Sequence, residues 1–190
     1  MKNKIILSGL VLVAGLIIAA SPERSSSGAP PSHAGAPGEE SCAASGCHDD
    51  NSTNSGTASL TIDAGTVTNY VPGQTYVINV KITDPGVNRF GFQLVALDNT
   101  SMNAGTFSIA DPARTQLVKN HLMLTDRQYV TYSFQGTDIT SPGASVWSVN
   151  WTAPATAAGP VSFFAAGVSA NDDTTDDGDF VYTTSLVITN

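Results

Sequence analysis

From Thr57 onward, apolar and polar residues alternate with a period of two in short runs. In the first clear run, Tyr76, Ile78, Val80 and Ile82 share one face, and Val77, Asn79 and Lys81 share the other. Successive side chains of an extended strand point to opposite faces, so this run reads as a strand with one buried and one mostly wet face. Phe90, Phe92 and Leu94 repeat the pattern, then Val130, Tyr132 and Phe134, then Trp147, Val149 and Trp151, with further strands over residues 161–168 and 181–188. Val71-Pro72-Gly73, Asp84-Pro85-Gly86 and Ser141-Pro142-Gly143 supply turns between them. The pattern predicts about seven to nine strands and no amphipathic helix of useful length, with residues 113–123 leaving room only for a short helical turn. An all-β antiparallel sandwich over residues 57–190 is the economical architecture, and a domain of this size buries a core without disulfide staples.

Upstream the pattern stops. Residues 21–56 are dominated by Ser, Gly, Ala and Pro and contain no Val, Ile, Leu, Met, Phe, Tyr or Trp, so the segment cannot form a core of its own. Residues 1–20 read as an export signal, with Lys2 and Lys4 at the start, an apolar stretch over residues 5–18, and the small residues Ala19, Ala20 and Ser21 for cleavage. That stretch is shorter than the roughly 18 to 20 residues that span a bilayer, and cleavage near Ala20 leaves no membrane anchor. The expected location is the periplasm, cell surface or extracellular space. The net charge of −8 argues against nucleic acid as a partner.

The segment 21–56 carries the chain's two cysteines, in Cys42-Ala43-Ala44-Ser45-Gly46-Cys47-His48. A cysteine pair followed directly by histidine is the pattern of covalent haem c attachment, in which two thiols add to the two porphyrin vinyl groups and the imidazole reaches the iron. The usual spacer is two residues; here it is four, all small. Covalent haem accounts for His48 best. A local Cys42–Cys47 disulfide and a zinc site that recruits His33 remain open from the residues alone. With His48 as the proximal ligand, the sixth iron position falls to His121, Met123, Met102 or His33, or stays open, and His121 is the first choice. The segment offers no apolar residues to cover a porphyrin, so the cover is expected from the sandwich, from another copy of the chain, or not at all.

A second candidate site lies in residues 171–179, where Asp172, Asp173, Asp176, Asp177 and Asp179 fall between two predicted strands. Oxygen ligands at this density suit calcium, but the bidentate glutamate of an EF-hand loop is missing, and a solvated acidic hairpin is the plainer reading. No nucleophile triad, phosphate-cradling glycine loop or zinc-protease helix is present in the sequence, so no catalysis beyond redox is expected.

Several stretches in order resemble the bacterial reeler-like domain proteins, also described as choice-of-anchor proteins. They are Gly35-Ala36-Pro37-Gly38-Glu39, the run from Tyr70 to Tyr76, Phe90-Gly91-Phe92-Gln93-Leu94, the run from Trp147 to Pro154, Phe163-Phe164-Ala165-Ala166-Gly167, and Gly178-Asp179 with Val181-Tyr182. The resemblance implies an immunoglobulin-like sandwich preceded by a haem-binding segment, with Cys42 and Cys47 as thioether donors and His48 as iron ligand. The family pattern places a histidine near Tyr132, where this chain has tyrosine. The expected function is an exported monohaem electron carrier that meets redox partner proteins and self-associates. The alternative is a haem-free binding or adhesion sandwich with a Cys42–Cys47 disulfide.

Overall fold

The structure is a computed structural model, and it describes residues 26–190; the expected signal segment 1–20 lies outside the described residues. Nine strands form: β1 (Ser59–Asp63), β2 (Thr75–Thr83), β3 (Arg89–Leu97), β4 (Thr106–Ile109), β5 (Thr115–Val118), β6 (Tyr129–Tyr132), β7 (Ala144–Thr152), β8 (Val161–Ala170) and β9 (Phe180–Ile188). They make two antiparallel sheets, one ordered β1-β2-β7-β4 and the other β5-β6-β3-β8-β9. The described residues contain no α-helix.

The core lies between the sheets where the alternation places it. Ile78, Val80 and Ile82 from β2 and Trp147, Val149 and Trp151 from β7 face Phe90, Phe92 and Leu94 from β3 and Phe163 and Ala165 from β8. The Trp147 ring stacks on Phe92 at 4.4 Å between centroids, and its indole N–H donates to the Gly136 carbonyl at 2.8 Å. Trp151 meets Phe163 edge-on at 4.9 Å and Tyr70 at 5.7 Å, and it donates to the Ala104 carbonyl at 2.9 Å. Each indole thus buries its area with its one donor satisfied, the condition under which a buried tryptophan stabilises.

Two expectations about elements are corrected. Residues 113–123 hold strand β5 in place of a helix: Thr115–Val118 pairs with β6 along the sheet edge, and the helical geometry is confined to a single turn leading into it, closed by the Thr115 N–H on the Asp111 carbonyl at 2.9 Å. Phe134 does not continue the buried face of β6: a 3-10 turn begins there (Phe134–Thr137), and the ring is 65 % exposed.

Strand β3 departs most from simple alternation. Every residue of β3 after Arg89 is buried, so both of its faces are covered. The sandwich core covers one face. The other lies under the segment before Thr57, which runs as a flat layer over the five-stranded sheet. Ala34 and Ala36 pack against Val95, Leu97 and Tyr129, and Cys42 packs against Ala166, Val168 and Val181. The segment lacks large apolar side chains, and methyl groups are what a layer lying flush on a sheet can bury.

Candidate functional site

Polar side chains that rise from the sheet fix the layer. Fully buried Gln93 of β3 accepts the His33 N–H at 2.7 Å and donates to the Pro30 carbonyl at 2.7 Å. Thr131 of β6 accepts the Ala29 N–H at 3.1 Å. Glu39 and Arg127 form an ion pair at 2.8 Å with side chains only 1 % and 2 % exposed. Arg127 also donates to the carbonyls of Pro37 and Ser101, and the Tyr129 hydroxyl donates to Glu39 at 2.6 Å. Burial first, and then the Glu39 carboxylate, push the Tyr129 phenol up to about 12. Beyond the cysteines the chain continues along the free edge of β9: the Asn54 N–H donates to the Val181 carbonyl, and the Thr183 N–H donates to the Asn54 side chain. There Gly56 leaves room for a neighbour, since a Cβ would stand 1.9 Å from the Tyr182 hydroxyl.

Within this layer the two cysteines and His48 come together. The His48 N–H donates to the Cys42 carbonyl at 3.2 Å and the Cys47 N–H to the Ala44 carbonyl at 2.9 Å, which folds residues 42–48 back on themselves. The four small spacer residues form this loop, with Gly46 at φ 79°. Both thiols are free. Cys42 is buried, and its S–H faces the His33 carbonyl at 3.8 Å. Burial, then the neighbouring Cys47, push the Cys42 thiol up to about 12. Cys47 is more open; burial raises its pKa as well, followed by the negative charges of Asp176, Asp49 and Glu40.

His48 Nδ1 lies 2.8 Å from Oδ2 of Asp179, a carboxylate that is 1 % exposed. The contact is at ion-pair distance but out of line for a hydrogen bond, so the buried Nδ1 has no hydrogen-bond partner. With Nδ1 turned to a carboxylate, Nε2 is the ring nitrogen left for a metal, the arrangement in which an outer carboxylate fixes a metal-binding histidine. The other oxygen of Asp179 accepts the Asn171 N–H at 2.9 Å, and its carbonyl accepts from Asn51.

Asp179 was expected among the calcium ligands, yet it turns inward to His48. The remaining carboxylates of that loop are dispersed: Asp172 pairs with Arg89, and Asp173 accepts from Thr175. Among the described residues no group of three or more His, Cys, Asp and Glu side chains is arranged to hold a metal ion, and the acidic stretch is a hairpin loop between β8 and β9. His121 and Met123 sit in the loop after β5, with Met123 68 % exposed; Asn120 ties this loop to Ser32 at 3.2 Å. Met102 is half exposed in the β3–β4 connection. Tyr132 lies over Gly91, where a Cβ would stand 2.8 Å from its ring. Burial first, and then the charge of Cys42, push the Tyr132 phenol up.

The thiols should differ sharply in reactivity. In chain prepared reduced and without haem, iodoacetamide near pH 8 is expected to label Cys47 in the folded state and Cys42 only after unfolding, as read by peptide mass mapping. Equal labelling of both would contradict the burial of Cys42. The raised Cys42 pKa also has a sign for stability: the folded state holds that proton more tightly, so its contribution is complete below about 9 and is lost as pH rises toward about 12.

A profile of the Reeler domain matches residues 40–174. A search of curated proteins finds no match. Among solved structures, the human F-spondin reeler domain is 26% identical over 69% of this chain and 88% of that one, with a TM-score of 0.48. A cohesin module of a family 33 glycoside hydrolase from Clostridium perfringens is 7% identical over 70% and 93%, with a TM-score of 0.44. A protein of immunoglobulin-like fold from Nocardia farcinica is 14% identical over 69% and 98%, with a TM-score of 0.39.

Proposed function

The chain belongs to the Reeler domain family, and from that premise we propose that its β-sandwich is the scaffold of an exported monohaem c-type electron carrier. The observation that carries this reading is the grouping of two free thiols with a histidine whose Nδ1 faces a buried carboxylate. The donor set fits the cofactor: Cys42 and Cys47 for the thioethers, His48 for the iron, and Asp179 to hold the imidazole. Haem held there supplies a one-electron iron couple.

The chain's own residues account for the rest. Cys42 and Cys47 would hold the haem through thioether bonds, each S–H adding across one vinyl group, so attachment would consume no oxidant. Cys42 binds at a sheltered point on the sheet and Cys47 at an open one, which leaves one edge of the site accessible to a partner. Glu40, Asp49 and Asp176 surround Cys47 with negative charge; this favours the oxidised iron and a basic redox partner. No catalytic role is assigned. Expression with a haem-attachment system should give a band that stains for haem on a denaturing gel, and the Cys42→Ala/Cys47→Ala variant should give none. An unstained wild-type band would favour the haem-free adhesion reading.

A further inference from the structure

The outer edge of β9 is partnered at both ends by the chain itself. At one end the Asn54 N–H donates to the Val181 carbonyl, and the Thr183 N–H donates to the Asn54 side chain. At the other the Thr189 N–H donates to the Thr68 carbonyl, and the Thr189 carbonyl accepts the Tyr70 N–H at 2.7 Å. β9 pairs with β8 in unbroken register, so Ser185 and Val187 turn their N–H and C=O groups to the same edge as Val181, Thr183 and Thr189. No described residue pairs with those groups. β1 runs close to β9, but its ladder is with β2 in the opposite sheet. A gap one short strand long is left between the two capped ends.

We propose that this gap takes an extended peptide from a partner protein, added beside β9 through the main chain of Ser185 and Val187. Adding a strand to an open edge gains affinity from the main chain and specificity from pockets for alternate side chains. Such a pocket lies beside the gap: a groove of about 270 Å³ lined by Gly35, Phe164, Thr183, Thr184 and Ser185. Phe164 is the direct cross-strand neighbour of Ser185, and the small serine leaves the half-buried ring within reach of a side chain on the next strand out. Gly35, at φ 72°, forms a wall where a Cβ would stand 3.0 Å from Thr183. The lining carries no charge, so it suits an apolar side chain.

The caps decide what kind of strand fits. Asn54 and Thr68 bound the gap, which leaves room for about five residues at a rise of about 3.3 Å each. A second copy does not fit, because antiparallel pairing centred on Ser185 sets Thr189 of one copy opposite Val181 of the other, where Asn54 already lies. An unfolded segment brings no such flanks. The chain's net charge of −8 favours basic residues at the ends of that segment.

The test is a titration of the isotope-labelled full mature chain with the blocked peptide Lys-Val-Thr-Val-Thr-Val-Lys, read by amide NMR shifts and hydrogen exchange. The Ser185 and Val187 amides are expected to shift most and to gain protection, with the β4 and β5 edges unmoved. Ser185→Pro removes an edge donor and no bond to β8, so it should keep the thermal midpoint and weaken the peptide about tenfold. Phe164→Ala should weaken it several-fold, and a peptide methylated at its inner backbone nitrogens should not bind. No shifts at millimolar peptide, full affinity in Ser185→Pro, or binding of the methylated peptide overturns the proposal. So does a dimer of the chain that Ser185→Pro dissolves in the absence of any peptide binding, since it assigns the edge to a second copy.

Discussion

Arg127→Ala should destabilise the protein by about 3 to 5 kcal/mol, and the loss should begin in the layer that carries the cysteines. Arg127 and Glu39 are both buried, so solvent screens neither charge, and removal of the guanidinium leaves the Glu39 carboxylate without its counter-ion. The same change removes the donors to Pro37 and Ser101. Hydrogen exchange should therefore speed up first at the amides of Ala34 and Gly35, ahead of β3 and β8. Arg127→Lys should restore little, because one ammonium cannot reproduce a planar fork that reaches three acceptors. An Arg127→Met/Glu39→Leu double variant should cost less than either single alanine change, since it removes both charges together. A loss below about 1 kcal/mol for Arg127→Ala would mean that the layer does not depend on this pair.

Trp151→Ala should cost a similar amount, about 3 to 5 kcal/mol, but with a different signature. Its indole is fully buried among Tyr70, Tyr76 and Phe163, at the centre of the contact between the sheets. Truncation opens a cavity that backbone hydrogen bonding on both sides of β7 keeps from collapsing. The expected result is a lowered urea midpoint with the cooperative slope unchanged, and exchange protection lost across both sheets at once. Against a typical domain stability of about 5 to 15 kcal/mol, either change consumes a large share.

The sandwich was legible because the period of two is written in large residues. Tyr76 to Ile82 and Trp147 to Trp151 declare their buried faces, and both pairs of faces meet in the core. β5 was not legible: its four residues form an edge strand with Leu117 partly exposed, so no buried face repeats. Phe134 misled for the opposite reason, since alternation continues in sequence after the chain has turned into a 3-10 conformation. In β3, the run Val95-Ala96-Leu97 already signalled two covered faces, but the cover itself is built of alanines whose composition resembles a loose tail.

The candidate site was legible as a motif and illegible as a place. Cys42, Cys47 and His48 are adjacent in sequence, whereas the residues that order them, Gln93, Arg127 and Asp179, come from β3, the entry to β6 and the entry to β9. Asp179 stood out in sequence only as one acid among five. Only the hairpin between β8 and β9 turns it toward the histidine. His33, two residues before the first strong family-like stretch, carried no signal that its ring would be held by two carbonyls.

The intact mass of the mature protein, purified from a host that exports it and attaches haem, tests the central claim most directly. The account predicts the polypeptide mass plus one complete haem, retained through denaturation and confined to the peptide that contains Cys42 and Cys47. A polypeptide mass lowered only by the two hydrogens of a disulfide, or not changed at all, would contradict it.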